Sequence, residues 1–92
     1  MSVDDFQKLG RSDGEQLARE FVSARQNMTR AEEDIWLRTL WFSRIPETCA
    51  RLHAAGAGET HLEAYVVALR RAYRRHMQAV ITELENSRTT IH

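Results

Sequence analysis

A Ser or Thr followed three residues later by Glu, just ahead of a run with helical spacing, occurs three times in this chain: Ser12/Glu15, Thr29/Glu32 and Thr60/Glu63. In such a capping box the hydroxyl accepts the main-chain N–H three residues on. The carboxylate accepts the N–H of the capping residue, so two donors orphaned by the helix start are both satisfied. Three boxes in phase with apolar repeats at three and four predict an all-α chain. No segment shows the strict alternation of a half-buried strand.

The boxes divide the chain into helices. Leu17, Phe21, Val22, Ala24 and Met28 form one apolar stripe, which predicts a short first helix from Asp13 to about Asn27. Residues 1–11 carry no such period and are expected to form a loose arm, and residues 87–92 a loose tail. A second helix is predicted from Arg30 to about Ala55. Pro46 lacks a backbone donor and clashes with the carbonyl four residues earlier, so it must kink or break this helix near residues 42–46. A break would give four helices instead of three. Gly56 and Gly58 close the segment, and a third helix spans roughly His61 to Glu85 with the stripe Leu62, Tyr65, Val66, Leu69, Ala72, Tyr73, His76, Met77, Val80 and Leu84. Two long segments joined by so short a link make an antiparallel helical hairpin, with the first helix packed across it.

Ninety-two residues make one domain with a core of limited size, so burial against a partner subunit would add needed stability. The 13 basic and 13 acidic residues balance, which argues against a general attraction to nucleic acid or anionic lipid. All the basic residues except Lys8 are Arg, a bias expected of a GC-rich bacterial genome. The single Cys49 excludes an intramolecular disulfide, and no basic region followed by an apolar run marks the N-terminus, so a cytoplasmic protein without a membrane span is expected.

The segment from Ile35 to Ile45 is the most unusual. Ile35, Trp36, Leu37, Leu40, Trp41, Phe42 and Ile45 point around most of the helix circumference, more than one stripe can hide. Either the helix is the central element of the monomer, or part of it meets a partner. Clustered exposed aromatics mark association surfaces, so Trp36, Leu40 and Trp41 are candidate contact residues. Trp36 and Trp41 lie about 140° apart around the helix, which predicts one in contact with a partner and one in the core, with Trp36 the contact residue.

Arg70, Arg71, Arg74 and Arg75 form a basic strip on the third helix, with no acid between Ala64 and Thr82. Guanidinium groups bind phosphate bidentately, so the strip is a candidate nucleic-acid contact, or the site of an acidic protein partner. No DNA-reading motif accompanies it. Cys49 and His53, four residues apart, with His61 across the link, are weak candidates for a zinc site, since a thiolate and two imidazoles are zinc ligands. No phosphate loop or activated nucleophile is present, the acids Glu32, Glu33 and Asp34 sit where the helix dipole favours them, and neither an enzyme nor a cofactor is expected. These observations point to a small protein-binding regulator or inhibitor that acts as a homodimer through helix contacts. A nucleic-acid-binding protein using the arginine strip is the alternative.

Overall fold

The computed structural model describes residues 2–89. Four α-helices, α1 (Val3–Arg25), α2 (Arg30–Thr39), α3 (Ile45–Ala54) and α4 (Glu59–Thr89), account for nearly all of it, and no strand occurs among the described residues. α2 and α3 are joined without a break by a π-helical turn, Leu40–Arg44, so the chain forms three helical rods. The second and third rods make the helical hairpin, and α1 packs against it.

α1 is not short, and residues 3–11 of the expected arm belong to it, Met1 lying outside the described residues. It starts at Val3, where the Ser2 hydroxyl accepts the Asp5 N–H and the Asp5 carboxylate accepts the Ser2 N–H, so the true capping box lies ten residues before the expected one. Ser12 and Glu15 are interior positions of the helix. Residues 1–11 carry no apolar period, with Asp4, Asp5 and Gly10 among them, yet Gly10 and, one turn later, Gly14 are buried and form the contact itself. A Cβ at Gly10 would collide with the Tyr65 carbonyl oxygen, and one at Gly14 with that of Leu69. Only glycine lets two backbones approach this closely. The facing surface of α4 is also small, with Ala68 and Ala72 next to those sites. Phe6 meets His61, Gly10 meets Tyr65, and Gly14 meets Leu69 and Ala72, so α1 and α4 run parallel.

The rod containing α2 and α3 stands further off, and large side chains fill the gap. Thr29 caps α2 as expected, its hydroxyl accepting the Glu32 N–H at 3.2 Å. Pro46 neither breaks the rod nor leaves a gap, because it occupies the first turn of α3 just after the π turn. In that turn the Ile45 N–H bonds to the Leu40 carbonyl, five residues back, and the wider ring absorbs the irregularity that a proline imposes on the ladder. Leu40 and Ile45, also five apart, are both buried in consequence.

α3 ends in a Schellman turn. Gly56 takes φ 109°, its N–H bonds to the His53 carbonyl, and the Ala57 N–H reaches the Leu52 carbonyl, with Ala57 buried beneath. α4 then starts at Glu59, before the expected box. Gly58 precedes it and its N–H donates to Nδ1 of His61, which takes the reach-back role expected of Glu63, while Thr60 lies within the first turn. The helix continues through residues 87–89, which the sequence predicted as tail; residues 90–92 of that tail lie outside the described residues.

The core between the rods consists of Phe6, Leu17, Ala18, Leu40, Ile45, Ala57, Tyr65, Leu69 and Tyr73. Tyr65 is its largest fully buried side chain, and its hydroxyl donates to the Asp13 carboxylate. Among the described residues no helix is long and apolar enough to cross a membrane.

Candidate functional site

The hairpin is closed at residues 54–59 and opens toward the start of α2, because α3 packs on α4 whereas α2 stands away from it. The opening is a cleft of about 690 Å³. Leu37, Trp41 and Phe42 form one wall, Arg70, Tyr73, Arg74 and Met77 the other, and Phe21 of α1 also lines it. The walls are built by helical spacing: Leu37 and Trp41 are one turn apart, and Arg70, Tyr73, Arg74 and Met77 repeat at three and four.

The aromatic lining is organised by ring contacts. Trp41 meets Tyr73 edge to face with centroids 5.5 Å apart, and the Arg70 guanidinium sits 5.8 Å from the centroid of Trp41. Phe21 stacks on Trp36 at 5.0 Å, and Arg25 lies over the Phe21 ring. Phe42 is left 79% exposed at the mouth of the cleft, and Ile35, two turns earlier, 62% exposed. Exposed large apolar groups beside a lined cleft make this surface the candidate site.

Several expected site residues are placed differently. Leu40 is completely buried and belongs to the core, because the π turn aims it inward together with Ile45. Trp36 and Trp41 do not divide into one contact and one core residue; both are half-buried and packed against the core. Phe42 is the aromatic that remains open. The arginine strip is divided as well: Arg70 and Arg74 line the cleft, whereas Arg71 and Arg75 line a shallow recess between α1 and α4 with Gln7 and Arg11. All four are exposed, and among the described residues none has an acidic partner; the ion pairs of Arg44 with Glu20 and Arg25 with Glu33 lie elsewhere.

The zinc candidates do not converge, and no cluster of three or more potential ligands exists among the described residues. His53 is held through Nδ1 at 3.0 Å from the Ala57 carbonyl oxygen, and His61 lies against Phe6 while accepting the Gly58 N–H. Cys49 is half-buried, and burial pushes its thiol above the ordinary value, disfavouring the thiolate that a metal requires. The three residues serve the hairpin corner and the core.

Phe21, Leu37, Tyr73 and Met77 complete the cleft but were not among the sequence candidates. The signal was present in part, since each lies on an apolar stripe or, for Leu37, beside Trp36 and Trp41. What the spacing did not contain was the divergence of α2 from α4. No family model, curated protein or solved structure matches this chain.

Proposed function

We propose that this is a bacterial, cytoplasmic protein-binding regulator or inhibitor, without enzymatic activity, that works as a homodimer and engages protein helices through the cleft between α2 and α4. The single observation that supports this most directly is the lining: an apolar and aromatic floor rimmed by Arg70 and Arg74, with Phe42 exposed at its edge. Apolar anchors surrounded by guanidinium groups suit a helix that carries an apolar stripe flanked by carboxylates. The half-buried tryptophans favour the same reading, since their packing on Phe21 and Tyr73 pre-organises the floor before anything binds.

A second reading, contact with nucleic-acid phosphate, is supported by Arg11, Arg71 and Arg75 around one recess. The two readings differ in their response to salt and to nuclease: phosphate binding falls steeply as salt rises and is lost with nuclease, whereas a mainly apolar cleft contact responds little. Capture from host lysate with the wild-type chain and with Phe42→Asp is the test. Proteins retained after nuclease treatment by the wild type and lost with Phe42→Asp support cleft binding. Retention that disappears with nuclease and falls steeply with salt, but is indifferent to Phe42→Asp, favours phosphate binding.

A further inference from the structure

The cleft wall on α4 continues past the cleft. Arg70, Arg74, Met77, Ile81 and Leu84 follow one another at spacings of four, three, four and three, which is the seam of a heptad on a single helix face. The first three line the cleft, and the last two lie beyond it, 41% and 52% exposed. Charge is segregated along the same helix. Arg70, Arg71, Arg74 and Arg75 occupy its middle, no acid stands between Ala64 and Thr82, and Glu83 and Glu85 follow. From Arg70 to Glu85 α4 is therefore basic, then apolar, then acidic, with Arg88 following beyond that span.

A helix with that order is complementary to itself when reversed. Turned end for end about a point near Ala79, a second copy sets its Ile81 against Met77 and its Leu84 against the aliphatic stem of Arg74. Its Glu85 then comes beside Arg74. The two-fold axis repeats each of these pairings, so one complementary contact counts twice. Parallel pairing would instead align Arg70 and Arg74 with their own counterparts, a like-charge seam that opposes association. A reversed copy also brings its apolar segment past Phe42 and Trp41.

We propose that the occupant of the cleft is α4 of a second copy of this chain, packed antiparallel across a two-fold axis near Ala79. The proposal rests on the reading of the cleft as a protein-binding surface and adds its occupant, orientation and register.

The test is sedimentation equilibrium of the full chain at micromolar concentrations for the wild type, Arg74→Glu, Glu85→Arg and the double variant, with circular dichroism on each to verify the fold. Both positions are exposed, so the helices should persist. A wild-type dimer is expected, with each single reversal weakening it about tenfold or more and the double reversal returning it to within about threefold of the wild type. A wild-type monomer throughout the range overturns the proposal. So does a dimer that neither single variant weakens, or a double variant no better than the singles. A monomer that still captures a foreign protein in a Phe42-dependent way overturns the antiparallel pairing and leaves cleft binding standing. A charge-swap-restored dimer with no Phe42-dependent capture does the reverse for a foreign partner.

Discussion

Gly10 of α1 lies directly against the main-chain carbonyl of Tyr65 on α4, with the Cβ of Ala68 on the other side of the same small space. That contact, repeated one turn later between Gly14 and Leu69, sets the separation of the two parallel helices. Alanine at either position would gain up to about 1 kcal/mol in helix propensity and still lose, because the obstacle is backbone that cannot rotate away. Gly10→Ala and Gly14→Ala should each destabilise by about 1 to 3 kcal/mol net. Denaturant unfolding at constant m-value measures it, and a neutral result at both sites would show that the helices stand further apart.

The two predicted caps that the structure treats differently should behave differently. Thr29 accepts the Glu32 N–H, so Thr29→Ala should cost about 1 kcal/mol. Thr60 is exposed within the first turn of α4, where the His61 imidazole serves the Gly58 N–H, and Thr60→Ala should stay within about 0.5 kcal/mol of the wild type. Melting midpoints of the two variants compare them, and an equal loss in both would restore Thr60 as a cap.

Trp41 and Phe42 are neighbours with opposite roles. Trp41 packs on Tyr73 and the core, so Trp41→Ala should cost roughly 2 to 3 kcal/mol, somewhat less than a fully buried aromatic. Phe42 is mostly in solvent, and Phe42→Ala should change folding stability by less than about 0.5 kcal/mol while weakening association. Unfolding should be followed at the lowest workable protein concentration, where association contributes least. A large folding loss for Phe42→Ala would assign it to the core.

The only two tyrosines, Tyr65 and Tyr73, should govern the alkaline limit of the fold. Burial raises both hydroxyls above their ordinary value, and Tyr65 is raised further by donating to the Asp13 carboxylate. A folded-state pKa above the unfolded value of about 10 means that this stability is complete below about pH 10 and is lost as the pH rises beyond it. Tyrosinate absorbance should therefore appear together with loss of helical dichroism. Tyrosinate forming near pH 10 with the helices intact would contradict the buried assignment.

The helical class, the three rods and the cap at Thr29 were legible in the sequence because each depends on local spacing: a hydroxyl three residues before a carboxylate, or an apolar side chain every three or four positions. The corner after α3 was legible for the same reason, since Gly56 adopts a backbone angle that other residues resist. Beyond that reach, tertiary contacts decided. Residues 3–11 lacked an apolar period because part of their contact with α4 is made by Gly10, whose value lies in the surface it omits, and only the facing backbone of Tyr65 reveals it. The fate of Pro46 depended on whether the preceding turn could widen. Whether Leu40 or Phe42 would face a partner then followed from that turn, because one extra residue in a helical ring rotates every side chain after it by about 100°. The cleft belongs to the same category: spacing placed Trp41, Arg70 and Met77 on their faces, but only the divergence of α2 from α4 left a space between them.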